Sequence, residues 1–167
     1  MNSLEEFDYQ VNNWQKSLKE LSWSQLVAKP AEGWTLGQLY VHLLHDTAWY
    51  FVQADLCFGD TSNAAESMNK EGKLLFLNNS FPDIRIVNSG NEVLLPSNIL
   101  ELEEGLEQLK AKAATIFFEQ NKKDAVFGKS EHPGFGYLAP LDWLQFAEMH
   151  MRHHVKQKER ILLNIKK

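Results

Sequence analysis

The stretch Trp143–Gln157, which carries His150, His153 and His154, constrains this chain more than any other. It contains no Gly or Pro, and its apolar residues recur at helical spacing, so it is predicted to be one helix. On a helical wheel at about 100° per residue, with His150 at zero, His154 falls near ~40°. Trp143, Ala147, Ile161 and Ile165 fall at about 20–60°. The two imidazoles therefore point with the apolar stripe, toward the core, while His153 falls near ~300°, to one side. A buried neutral imidazole still has one donor and one acceptor to satisfy. Two imidazoles at i, i+4 meet that demand either by hydrogen bonding within the core or by converging on one metal ion. The residue after His150 is Met151, so the Glu that marks a helical metalloprotease is missing, and that mechanism is excluded.

The rest of the chain supplies three more helical segments. Residues 3–22 place Phe7, Val11, Trp14, Leu18 and Leu21 on one face, with Ser3 as the expected cap and Glu5 and Glu6 in the first turn. A second helix is predicted from Thr35 to about Phe58. Thr35 and Gln38 there match a capping box, and Gly59 marks the stop. It is apolar almost all round, except for a band of Gln38, His42, Asp46 and Gln53. A third is predicted after Pro96, capped by Ser97 and running to about Glu119. The fourth opens near Pro140, which a first turn tolerates, and runs to about Leu163.

The connections are unequal. Residues 22–33 read as a plain connector. Residues 60–96 make a long connection in which a hairpin near 81–95 and a short helix around 66–77 are both compatible with the pattern. Residues 121–140 read as a loop, with His132-Pro-Gly-Phe-Gly-Tyr137 at its centre. Four helices with one apolar face each predict a single all-α domain over residues 1–167, a four-helix bundle with a long connection between its second and third helices.

Packing the two histidine-bearing helices together lets His42 face His150 and His154. Three imidazoles from two helices would hold a metal and keep positions open for water or substrate. Asp46, one turn from His42, is then placed to accept a hydrogen bond from a ligand ring. His45 is the competing ligand on the second helix, and His150 with His153 is an alternative pair at i, i+3.

At these residues the chain resembles the DinB superfamily, also called DinB/YfiT-like. Gly33-Trp-Thr-Leu-Gly-Gln-Leu-Tyr-Val-His42 resembles that family's tryptophan-then-histidine opening of the second helix. His150-Met-Arg-His153-His154-Val-Lys-Gln157 resembles its closing histidine motif. The run from His132 to Trp143 resembles the lead into the fourth helix in one subgroup. The resemblance implies an up-down-down-up bundle with a divalent metal, nickel or zinc, on His42, His150 and His154. It also implies a metal-dependent hydrolase, or a transferase acting with a low-molecular-weight thiol, on a small-molecule substrate. Asp46 and His132 are the two candidates for acid–base work. The alternative is a metal- or small-ligand-binding stress-response module without turnover, or a bundle whose histidines are vestigial.

Charge and composition narrow the class further. The net charge is −5, with acidic and basic residues interspersed, which argues against nucleic-acid binding through a basic surface. Cys57 is the only cysteine, so no intramolecular disulfide forms. The acidic start lacks the pattern of a signal peptide, and no apolar run reaches transmembrane length. A cytoplasmic protein without membrane attachment is the expectation. Pairing into a homodimer through helix faces is compatible with such a bundle, although no interface is legible.

Overall fold

The computed structural model describes residues 1–83 and 92–166. The protein is mostly helical, with one small two-stranded sheet. In chain order it has α1 (Ser3–Lys19), α2 (Trp23–Val27), α3 (Leu36–Gly59), α4 (Lys70–Asn78) and α5 (Ile99–Gln120). The strands β1 (Ser130–His132) and β2 (Gly136–Leu138) follow, then α6 (Pro140–His153) and α7 (Val155–Ile165). No helix among the described residues is long and apolar enough to cross a membrane.

Local chemistry sets most of the helix starts. Thr35 accepts from the Gln38 backbone N–H at 3.1 Å, and the Thr35 N–H donates to Gln38 Oε1 at 3.0 Å, the expected capping box. Gln38 also donates from Nε2 to the Val93 carbonyl at 2.8 Å, which ties the start of α3 to the segment before α5. Two caps sit one residue away from expectation. Asn2, not Ser3, caps α1 in a reciprocal pair with Glu5, and Asn98, not Ser97, caps α5. An amide oxygen reaches the third N–H of a helix as well as a hydroxyl does, so adjacent polar residues compete for the role.

The core lies among the four long helical segments. α1 and α3 each pack against both α5 and α6, and α5 also touches α6. Phe7, Val11 and Trp14 of α1 are fully buried, as are Leu39, Tyr40 and Leu43 of α3, Leu102 and Leu106 of α5, and Trp143 and Leu144 of α6. Each such side chain removed from water contributes about 1.5–3 kcal/mol. Trp14 and Tyr40 meet edge to face at 5.2 Å, and the Tyr40 hydroxyl donates to the Trp14 carbonyl at 2.8 Å, pinning α3 on α1.

Three elements depart from the sequence reading. The connector 22–33 contains α2, opened by a Ser22–Gln25 capping box. The loop 121–140 contains the β1–β2 hairpin, with Ser130 opposite Leu138 and His132 opposite Gly136. Residues 67–69 lie along its open edge: Tyr137 N–H donates to Ser67 O at 3.3 Å, and Asn69 N–H to Phe135 O at 3.0 Å. Gly136 has φ +81°, and an added Cβ would lie 2.6 Å from Asn69 N, so this junction requires glycine. The expected fourth helix is divided at His154 into α6 and α7, although Lys158 N–H still donates to His154 O at 3.0 Å. The short helix expected near 66–77 is α4, capped by Asn69. The hairpin considered for 81–95 falls largely on residues 84–91, outside the described residues.

One buried carboxylate positions the wall of the site. Glu148 of α6 accepts from Arg152 Nε and Nη2 at 2.8 and 2.9 Å. Arg152 Nη2 also donates at 2.8 Å to the carbonyl of Asn79, the left-handed residue that ends α4. This clamp sets the path of residues 80–83, which bring Phe81 and Asp83 toward the histidines.

Candidate metal centre

His42 comes from the second turn of α3, while His150 and His154 come from the last turn of α6 and its junction with α7. The i, i+4 spacing stacks the latter two on one face, and the packing of α3 on α6 brings His42 against them. The three Nε2 atoms form a near-equilateral triangle. The sides are 3.2 Å from His42 to His150, 3.2 Å from His42 to His154, and 3.0 Å from His150 to His154. Ligand atoms at the usual metal–nitrogen length of 2.0–2.1 Å around a tetrahedral ion would be about 3.3–3.4 Å apart. The three histidines are close enough together to bind one metal ion.

The electrostatics point the same way. Burial lowers the pKa of His42 to about 4, with the charge of His45 adding to the effect. Burial also lowers His154 to about 4, against the opposing effect of its hydrogen bond to Gln157. His150 is held well below its ordinary value by burial and then by its histidine neighbours. All three rings are therefore neutral near pH 7. His154 Nδ1–H donates to Gln157 Oε1 at 2.7 Å, which leaves the His154 Nε2 lone pair free to face the triangle. Neutral rings with Nε2 atoms at 3.0–3.2 Å either share protons as hydrogen bonds, according to tautomer, or turn their lone pairs toward one centre that a cation would fill. His150 Nδ1 is buried without a hydrogen-bond partner.

Asp46 Oδ2 lies 3.5 Å from His42 Nε2 and 3.8 Å from His150 Nε2. It thus faces the Nε2 atoms of the triangle rather than the distal Nδ1 side where an acceptor that orients a ring would sit. It stands outside the mutually close group of three histidines. Burial raises its carboxyl pKa, with the charge of His45 opposing the shift.

The triangle opens into a cavity of about 740 Å³. One wall is the segment from Pro30 to Trp34, and the Trp34 ring packs at 4.7 Å on His42. Phe81 and Asp83 form a second wall. The third is α7, which presents Gln157, Arg160 and Asn164. His153 also lines the cavity, with its ring 5.6 Å from Phe81, and is not part of the triangle. His45 is exposed on the outer face of α3.

His132 is not among the residues that line this cavity. Its ring stands in an aromatic cluster, 4.8 Å from Phe135, 5.0 Å from Phe146 and 5.6 Å from Trp143. Its Nδ1 accepts from the Gly134 N–H at 3.0 Å, a contact that closes the hairpin turn. Of the α7 wall, the sequence reading reached Gln157 but not Arg160 or Asn164, although their signal was present. His153, Gln157, Arg160 and Asn164 recur at spacings of four, three and four, a polar stripe on one helix face.

Comparison of the chain with protein-family models, with curated proteins and with solved structures returned no match.

Proposed function

We propose that this chain is a DinB-like metal-dependent enzyme, an up-down-down-up four-helix bundle that uses a divalent zinc or nickel ion on His42, His150 and His154. The observation that carries this reading is the triangle of three neutral imidazole nitrogens at 3.0–3.2 Å, open on one side to the cavity. A divalent metal held there would lower the pKa of a coordinated water or thiol and polarise a substrate carbonyl or related group. The chain itself supplies three further functions. Gln157 holds His154 in the tautomer whose Nε2 carries a lone pair. Asp46 Oδ2, beside His42 and His150, accepts the proton given up by the attacking water or thiol. Trp34 and Phe81 flank the histidines and restrict solvent on those sides. The reaction is hydrolysis of a small molecule, or transfer of a group to a low-molecular-weight thiol.

The test is elemental analysis of protein prepared without chelator or histidine tag, beside His154→Ala. About one equivalent of zinc or nickel in the parent chain, lost in the variant, is the expected result. Metal-loaded protein is then assayed on ester and amide substrates, and on electrophiles, with and without added thiol. Turnover that needs metal alone marks a hydrolase, and turnover that needs metal and thiol marks a transferase. A stably held metal with no turnover in either assay favours the non-catalytic binding module. No metal, and no binding on titration, overturns the reading.

A further inference from the structure

The charged side chains of the cavity are unevenly matched. Among the described residues, five of them line it besides the histidines: Glu32, Asp46, Asp83, Lys156 and Arg160. Lys156 Nζ is paired with Asp83 Oδ2 at 3.2 Å. Asp46 faces His42 and His150, and Glu32 is itself engaged. The Arg160 guanidinium has no carboxylate or hydrogen-bond acceptor among the described residues, although its backbone carbonyl accepts from Asn164 Nδ2 at 3.0 Å. Arg160 lies on the same face of α7 as Gln157, the residue bonded to His154. His154 caps α7, and the six residues from it to Arg160 span about 9 Å along the axis.

We propose that Arg160 anchors a carboxylate of the substrate, so that the cavity takes a molecule with a metal-reactive head at the histidines and an acidic tail farther along α7. The inference rests on the reading of the histidine triangle as a metal centre and adds the substrate class. A guanidinium presents a planar fork of donors that matches a carboxylate edge, and it stays charged at any physiological pH. Lys156 does not serve this role because Asp83 already neutralises it. The cavity volume of about 740 Å³ suits a small-molecule ligand. Beside Glu32, the cavity also presents Pro30, Ala31 and the Trp34 ring, apolar surface that suits the linking chain between head and tail.

The test uses the full chain loaded with zinc and two thiols of equal length, mercaptohexanoate and mercaptohexanol, which differ at the far end by a carboxylate. Calorimetric titration of the parent chain is expected to show about tenfold tighter binding of the carboxylate. Arg160→Ala abolishes the preference, Arg160→Lys keeps part of it, and neither changes the zinc content. Arg160 is exposed, so both variants fold. Equal affinity for the two thiols, no binding of either, or a preference that survives in Arg160→Ala overturns the anchor. A preference lost in Lys156→Ala but retained in Arg160→Ala overturns it as well. Zinc content read on the same samples separates the two claims. Loaded protein without the preference overturns the anchor alone, whereas protein that holds no zinc overturns the metal-centre reading and the anchor with it.

Discussion

Gln157 Oε1 lies 2.7 Å from His154 Nδ1, and this one contact decides which nitrogen of His154 faces the other two imidazoles. An amide carbonyl only accepts, so the proton resides on Nδ1 and the lone pair on Nε2. Without Gln157 the ring would be free to adopt the other tautomer or to rotate. Gln157→Ala is therefore expected to weaken metal binding by about 10–100-fold, while Gln157→Glu retains it. Competition titration with a coloured chelator measures both. Nitrogen NMR of the metal-free protein gives an independent reading, since the Nδ1–H tautomer of His154 should dominate in the parent chain and not in Gln157→Ala.

The acid sensitivity of the metal-free protein follows from the same burial. His42 and His154 drop from an ordinary 6.5 to about 4 in the folded chain. Between those values the unfolded chain binds more protons than the folded one, so stability rises with pH. The stabilisation is intact above about pH 6.5 and is lost as the pH falls toward about 4. Each histidine accounts for at most about 2 kcal/mol between about pH 7.5 and about pH 5. Urea unfolding of chelator-treated protein at several pH values measures the slope. His154→Ala should flatten it, and a parent chain whose stability is level across this window would contradict the assignment of neutral buried rings.

Asp46 separates the roles of ligand and base. Its carboxylate meets His42 and His150 but stands outside the close group of three. Asp46→Asn preserves shape and removes the charge and the proton affinity. The expected outcome is an unchanged metal content with turnover reduced about 100-fold or more. Loss of metal together with turnover would instead make Asp46 a fourth ligand.

How much of this was legible in the sequence depended on how local the cause was. The Thr35–Gln38 box, the pairing of His150 with His154, and the convergence of His42 on them rest on spacings within one helix and on the apolar faces that pack two helices together. Both are written in short-range periodicity, and these features appear as read. The hairpin was missed because its strands are three residues each, too short for alternation to register. What holds them is distant in sequence: residues 67–69 along one edge and the Gln53 carbonyl, which accepts from the Ser130 hydroxyl. His132 was drawn to the site by its residue type, yet tertiary packing places it among Phe135, Trp143 and Phe146. Arg160 lies one turn beyond the histidine motif, which ends at Gln157, and only the polar stripe that continues along α7 marks it.

The hairpin's attachment yields the last prediction. Ser130 Oγ accepts from Trp143 Nε1 at 2.8 Å and donates to the Gln53 carbonyl at 2.9 Å, so one hydroxyl joins β1, α6 and α3. Trp143 is fully buried, and no water can replace the lost acceptor without repacking. Ser130→Ala leaves the indole N–H without its acceptor, at a cost of about 1–3 kcal/mol, while the Gln53 carbonyl keeps Cys57 Sγ at 3.4 Å. A chain of this length should then melt lower by roughly 3–10 °C. Cys57 Sγ lies 3.5 Å from the same hydroxyl and provides the control. Cys57→Ala removes only a weak donor and a small apolar volume, so its effect should be the smaller of the two. The histidine triangle is formed by other residues, so Ser130→Ala should keep its full metal content at temperatures below its melting point. A variant that melts as the parent does would mean that this hydroxyl does not hold the hairpin to the helices.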